Sequence, residues 1–258
     1  MVSGLTIGLL VLKLIVCLGV PIGFFIFYKV RYHIQFQPVG GGIVVFIVFA
    51  LILEQILHMF VLKINPVTAA FFKNPFAYAV YAAAAAALFE ECGRFCAYKT
   101  VLKKYHRFQD GIAYGIGHGG FEMLYLGALS AINTIIAAVE INGGTRFSKA
   151  VMEAMQGPSY TFGISIYERC VTFCFQIGLS LVVLYGVANR KSRFLLYAIL
   201  LHMASDIFAG LYQAGVIGIM ASELAMIPFL VFGIVMVVNA KKIFSKGTVS
   251  GKQNTEPV

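Results

Sequence analysis

The stretch ALFEECGRFCAY, residues 87–98, closes a long apolar segment and carries three ionisable side chains within it. Glu90, Glu91 and Arg94 follow a run of six alanines, residues 82–87. Ionisable groups are costly in the hydrocarbon of a bilayer, so those on membrane helices face the protein interior or a wet cavity and are candidates for function. The stretch therefore predicts a functional helix inside a helical membrane bundle.

The composition of the whole chain is that of a polytopic membrane protein. Of its 258 residues, 60% are hydrophobic and 12% are charged, whereas a soluble domain has roughly 25% charged residues. The net charge is +9, but Lys and Arg are concentrated in short loops, as in membrane proteins that follow the positive-inside rule. This pattern argues against a nucleic-acid partner. It favours a multi-pass protein of the cell membrane, in contact with the lipid bilayer.

Seven segments are apolar and long enough to cross a bilayer as α-helices. They are residues 4–28, 42–63, 76–98, 110–138, 161–187, 194–213 and 216–238. We therefore predict an all-α transmembrane bundle of about seven helices. Residues 1–240 are expected to form a single integral membrane domain, with the catalytic motifs in residues 87–210. Residues 241–258 are expected to form a basic, disordered cytoplasmic tail.

The distribution of basic residues predicts the orientation of these helices. Thirteen Lys and Arg residues lie in the loops and tail on one side of the spans, and four lie on the other side. Because basic loops remain in the cytoplasm, the N-terminus is predicted to be outside and the C-terminus cytoplasmic. An odd number of spans agrees with this orientation.

Embedded polar residues on three spans are predicted to lie at one depth. Glu90, His118 and His202 are each about eight residues from the cytoplasmic end of a span, or roughly 12 Å below the inner surface at 1.5 Å per residue. Glu122 and Asp206 follow the two histidines at i+4, so they share the same helix faces one turn deeper. The spacing therefore predicts one polar layer shared by three helices.

The residue types in this layer suit a divalent metal and a general base. Two neutral imidazoles can bind zinc, while carboxylates serve as further ligands or orient them. The metal ligands that we predict are His118, His202, Glu122 and Asp206. A carboxylate in an apolar bundle is also a suitable general base near neutral pH. Arg94 follows Glu90 at i+4, where it can hold a carboxylate in a bidentate pair.

Other embedded residues leave alternatives open. The glycines of GIGHGG, residues 115–120, either admit a substrate or allow tight helix packing, and the alanine run has the same two interpretations. Glu54 and His58, at i and i+4, form either a local pair or a support for the polar layer. Glu168 and Arg169 lie about nineteen residues from the inner end of their span, so they are expected outside the layer in structural pairs.

Three short motifs resemble those of the CAAX-protease and bacteriocin-processing superfamily of intramembrane metalloproteases. EECGR, residues 90–94, resembles its first motif, and YGIGH, residues 114–118, resembles the second, in which an aromatic residue precedes a histidine. HMASD, residues 202–206, resembles the third. In detail the motifs are most similar to those of the YhfC-type membrane peptidases. The resemblance covers about half of the chain, and the order of the motifs makes it fairly specific.

The resemblance implies hydrolysis of a peptide bond in a membrane-anchored peptide or protein, near the cytoplasmic side. Glu90 and His118 would activate water, while His202 and Asp206 would bind a metal or stabilise the oxyanion. The implied catalytic set is Glu90, Glu91, Arg94, His118, His202 and Asp206. The usual superfamily spacing is EExxxR, whereas Arg94 is only three residues after Glu91. The base is therefore either Glu90 or Glu91.

Two other functional classes also fit the sequence. Chains of acids and histidines across helices mark proton relays, so a proton-coupled transporter is the first alternative. A catalytically silent membrane protein that works in assembly is the second. A bound metal would favour the protease over both.

Overall fold

Long helices make up almost all of residues 1–247, the part of the chain that the computed structural model describes. No strand occurs in this range. In chain order the helices are α1 (Gly4–Tyr32), α2 (Phe36–Ile64), α3 (Pro66–Phe71), α4 (Pro75–Lys99), α5 (Phe108–Asn142), α6 (Lys149–Gln156), α7 (Tyr160–Ala188), α8 (Arg193–Gln213), α9 (Ile219–Ala225) and α10 (Ile227–Gly247). Three stretches within α2 and α5 are π-helical: Phe46–Glu54, Phe60–Ile64 and Met123–Leu129.

The predicted all-α membrane bundle is confirmed. Within residues 1–247, six helical segments are long and apolar enough to cross a membrane: α1, α2, α5, α7, α8 and the continuous pair α9–α10. The remaining predicted span corresponds to α4. Its 25 residues measure roughly 37 Å at 1.5 Å per residue. Its four charged residues, Glu90, Glu91, Arg94 and Lys99, make it less apolar than the other spans. The chain is therefore a multi-pass integral membrane protein.

Local sequence signals determine where α4 begins. The side chain of Asn74 accepts hydrogen bonds from the backbone amides of Phe76 and Ala77, both at 3.0 Å. Pro75 occupies the first helical position, where its missing N–H would have had no partner.

The last predicted span is divided between α9 and α10, and Pro228 lies in the first turn of α10, where proline is tolerated.

The last helix continues beyond the predicted end of its span and runs to Gly247. Ala240 is buried in the core, and Phe244 packs against the same cluster. The first residues of the expected disordered tail are therefore helical, because they still have a surface on which to pack. Residues 248–258 lie outside the described part of the chain, so disorder there stays a prediction.

Helix α7 lies at the centre of the bundle. Of its most apolar stretch, 78% is buried, whereas the other five spans bury 17–28%. It packs against α1, α4, α5, α8 and α10. On the outer helices large apolar side chains are exposed, among them Ile15 and Phe27. Such surfaces are expected where lipid replaces water.

Glycines of GIGHGG bring α5 into direct contact with two neighbours. A Cβ atom on Gly117 would collide with the carbonyl oxygen of Val39 on α2. A Cβ on Gly119 would lie 2.9 Å from the Cβ of Gln176 on α7. Of the two interpretations of GIGHGG, tight helix packing is therefore the one that the structure supports. This packing holds His118 between α2 and α7.

Candidate metal centre

Three side chains from two helices form a buried group that could hold a metal ion. Glu90 on α4 and His118 and Glu122 on α5 each present a donor atom, and these atoms lie within 4.8 Å of one another. All three residues are buried. Nε2 of His118 and Oε2 of Glu90 are 2.8 Å apart. One nitrogen and two carboxylate oxygens are a donor set that zinc accepts.

The separations of these atoms fit a small divalent ion. Around a tetrahedral zinc with bonds of ~2.0–2.2 Å, neighbouring ligand atoms are about 3.5 Å apart. The contact between His118 and Glu90 would have to open by less than an ångström to reach this distance. The imidazole is held from both sides, because Phe46 meets its ring edge-on at 5.3 Å and Tyr114 stacks on it at 6.0 Å.

Gln176 on α7 connects the group to its surroundings, and the sequence interpretation did not include it. Its Nε2 donates to Oε2 of Glu90 at 2.8 Å and to Oε2 of Glu122 at 3.1 Å. Its Oε1 accepts from Arg94 at 2.5 Å. Because a guanidinium can only donate, Arg94 determines which end of the amide faces the two carboxylates. The sequence signal that could have identified Gln176 is its polar amide in the middle of the apolar run TFCFQIGLS, residues 172–180.

Arg94 pairs with Glu91 and not with Glu90, the i+4 partner that the helix spacing offered. Its Nη1 donates to both carboxylate oxygens of Glu91 at 2.9 Å, and both side chains are fully buried. Oε1 of Glu91 also contacts Nδ1 of His202 at 2.8 Å. The shortened spacing of the first motif therefore directs Arg94 towards Glu91. Glu90 is left facing His118.

His202 and Asp206 lie beside the metal-binding group and are not part of it. Nε2 of His202 is 3.9 Å from Oε2 of Glu90 and 3.4 Å from Oδ2 of Asp206. Asp206 also accepts a hydrogen bond from Ser205 at 2.9 Å. Of the four predicted metal ligands, the structure thus brings together His118 and Glu122 and adds Glu90. A ligand role for the other two stays a prediction.

Arg169 lies closer to the polar layer than its position in the sequence suggested. Its Nη1 is 3.5 Å from Oε1 of Glu122, and its Nη2 donates to Glu168. Counted from the inner ends of their helices, Arg169 and Glu122 differ in depth by about 8 Å. The long arginine side chain spans that difference. The expectation that Arg169 lies outside the layer is therefore wrong, whereas its pairing with another helix is confirmed.

A cavity of about 440 Å³ adjoins the group, and Glu90, Glu122, His202 and Asp206 line it. Three residues of the alanine run, Ala82, Ala83 and Ala86, form part of the same wall. The alanine face therefore leaves space next to Glu90. Glu54 and His58 form the local pair that their spacing allowed, at 3.1 Å, and both also line the cavity.

Comparisons with known proteins agree with the motifs. The YhfC intramembrane metalloprotease family matches residues 16–226 of the chain. A curated protein of Bacillus subtilis strain 168, described as "Uncharacterized membrane protein YhfC", is 35% identical over 258 residues, covering 95% of this chain and all of the relative. No solved structure matches the chain.

Proposed function

Because the chain belongs to the YhfC intramembrane metalloprotease family, we propose that it hydrolyses a peptide bond of a membrane-anchored peptide or protein with the help of a divalent metal, zinc by ligand type. The observation that supports this most directly is the buried convergence of Glu90, His118 and Glu122 beside a cavity. Buried carboxylates and imidazoles without metal or charge partners are costly in a membrane bundle. A bound cation would offset the cost of burying these three side chains.

His118 and Glu122 would hold the ion, and a carboxylate oxygen of Glu90 would be the third donor atom. When bound, the metal would supply Lewis acidity towards a carbonyl oxygen and towards water. The hydrogen bonds from Gln176 to both carboxylates would keep Glu90 and Glu122 turned towards His118. Partners of this kind orient metal ligands and set their basicity.

Glu90 is our candidate for the base that takes a proton from water. Among the described residues, its close contacts with Nε2 of His118 and Nε2 of Gln176 both involve Oε2. Oε1 has no such partner, and the residue lines the cavity. This oxygen can therefore accept a proton from a water molecule in the cavity, and the acid so formed can pass the proton to the leaving amine.

His202 is our candidate for the group that stabilises the oxygen of the substrate carbonyl. Glu91 contacts its Nδ1, which leaves Nε2 directed between Glu90 and Asp206. With a proton on Nε2, this N–H can donate a hydrogen bond to a carbonyl oxygen about 3 Å away. It would then stabilise the negative charge that develops on that oxygen during hydrolysis, as an oxyanion donor does. Glu91 and Arg94 would act through His202 and Gln176 and would not contact the substrate.

Purified protein in liposomes, given a library of fluorogenic peptides anchored by an acyl chain, tests the proposal. We expect cleavage that a chelator abolishes and that added zinc restores. Glu90→Gln should lower the turnover by ~10²–10⁴-fold, the scale of a lost general base. Glu140→Gln is the matched control, because Glu140 is exposed at the far end of α5.

Metal content and cleavage together decide the outcome. About one metal ion per chain, lost in His118→Ala, with chelator-sensitive cleavage, would support the protease. A folded protein without a tightly bound metal and without cleavage of any library member would refute it, and would favour the transporter or the assembly protein.

A further inference from the structure

The cavity extends from Glu90 in one direction only. On every helix that contributes to it, the lining residues lie at the level of Glu90 and His202 or further from the basic loops. On α4 they run back to Tyr78 near its beginning, and on α8 they run forward to Gln213, its last residue. Gln213 is exposed. The cavity therefore reaches the surface at the end of the bundle opposite the loops that contain Lys103 and Lys191.

The other half of the bundle is closed by packed side chains. Between the site and the basic loops, Tyr98 and Tyr114 are fully buried with ring centroids 4.9 Å apart. Leu179 and Ala198 are fully buried in the same cluster. From Val171 to Val187, most of α7 is buried as well. A substrate could not reach Glu90 from this side without separating the core.

The outer part of the cavity carries an excess of acidic side chains. We name it the outer vestibule and define it by six lining residues: Glu54, His58, Tyr78, Glu168, Asp206 and Glu223. Four of these are acids, and among the described residues that line the cavity Arg169 is the one Lys or Arg. Arg169 pairs with Glu168, so the other acids leave the wall with an excess of acidic groups. Oε2 of Glu223 is buried without a hydrogen-bond partner among the described residues.

We propose that the outer vestibule admits the substrate from the face opposite the basic loops, and that it selects a polypeptide segment that carries positive charge. The choice of a polypeptide rests on the proposed function. The direction of access and the preference for a cation rest on the cavity wall alone. By the distribution of Lys and Arg this face is extracellular. The substrate would then be a membrane-anchored segment on the outer side, and not one at the cytoplasmic surface as the resemblance implied.

Cysteine labelling with charged reagents tests both parts of the proposal. Ala209 and Ala82 line the cavity and have small side chains, so Ala209→Cys and Ala82→Cys introduce a thiol at little steric cost. Each variant is treated with a cationic and with an anionic membrane-impermeant methanethiosulfonate, first in intact cells and then in inverted vesicles. Adducts are counted by mass spectrometry, and the wild-type chain gives the background of the five native cysteines.

Two surface variants serve as matched controls. Thr145→Cys lies in the loop after α5, and Ser192→Cys lies in the loop before α8, and both residues are exposed at opposite ends of the bundle. We expect the vestibule cysteines to be labelled from the same side as Thr145→Cys. We also expect their ratio of cationic to anionic labelling rates to exceed that of Thr145→Cys by about 10-fold or more, because an acidic cleft concentrates cations. Glu223→Gln should lower this ratio.

The outcomes separate the vestibule from the enzymatic activity. Labelling from the side of Ser192→Cys, or from neither side in either variant, would overturn the direction of access. A rate ratio equal to that of Thr145→Cys would overturn the preference for a cation. Labelling requires no catalysis, so a chain that labels as expected but cleaves no peptide would refute the protease and retain the vestibule.

Discussion

Replacement by glutamine should have different effects at the two adjacent glutamates of α4. At Glu91 it should lower stability, and at Glu90 it should lower activity. Both carboxylate oxygens of Glu91 accept from Nη1 of Arg94, and neither side chain is exposed. Glu91 also contacts His202. Glu91→Gln would leave the guanidinium without its carboxylate in a dry interior. Breaking a buried ion pair in this way costs about 3–5 kcal/mol of stability. We therefore expect Glu91→Gln to be strongly destabilised.

Glu90→Gln should instead fold and lose activity. Its contacts with His118 and Gln176 go to one oxygen, and a glutamine carbonyl can accept the Gln176 bond in place of that oxygen. The expected loss of stability is about 1–1.5 kcal/mol, the scale of a weakened hydrogen bond. The loss of turnover is the ~10²–10⁴-fold given above for a general base.

Thermal unfolding in detergent, measured beside turnover and metal content, distinguishes the two variants. The double variant Glu91→Gln/Arg94→Met removes the unpaired charge, so it should recover part of the stability that Glu91→Gln loses. A Glu91→Gln protein as stable as the wild type would refute our assignment of the roles. So would a Glu90→Gln protein that loses stability and activity in parallel, because that result describes a purely structural acid.

Three further predictions concern the metal and the packing. His118→Ala should lose the bound metal, whereas His202→Ala should retain most of it, as measured by elemental analysis of the purified proteins; equal loss in both would place His202 among the ligands. Gln176→Leu should weaken metal binding by ~10–100-fold, the usual effect of removing a partner of the ligands, as measured by competition with a chelator; unchanged affinity would exclude this role. Gly117→Val should cost about 1–3 kcal/mol of stability through overpacking against α2. Gly40→Val is the control and should unfold at the wild-type temperature, because a Cβ at this position would meet no atom of the described residues within 4 Å.

The polar layer shows how far helix periodicity alone can lead. Glu90, His118 and Glu122 could be grouped from the sequence because a rise of 1.5 Å per residue converts position into depth, and the structure brings their donor atoms together. Depth does not determine rotation about the helix axis. For that reason the partner of Arg94 could not be predicted, and His202 faces Glu91 beside the group instead of joining it.

The role of Gln176 could not be predicted from its residue type. Its chemistry is ordinary, and its importance comes from the close approach of α5, where a Cβ on Gly119 would lie 2.9 Å from the Cβ of Gln176. Arg169 was assigned to the wrong level for a related reason, since counting along the backbone ignores the reach of a long side chain.

The sequence by itself determined that this chain is an all-α membrane protein, where its spans lie and which embedded residues are costly enough to require a function. These properties follow from local hydropathy, from the rise of a helix and from the free-energy cost of a charged side chain in hydrocarbon. None of these depends on neighbours in space. Only the tertiary structure decided which carboxylate holds Arg94, that Gln176 joins the site, and at which end of the bundle the cavity opens. These features depend on the rotation and packing of helices against one another, which no single helix encodes.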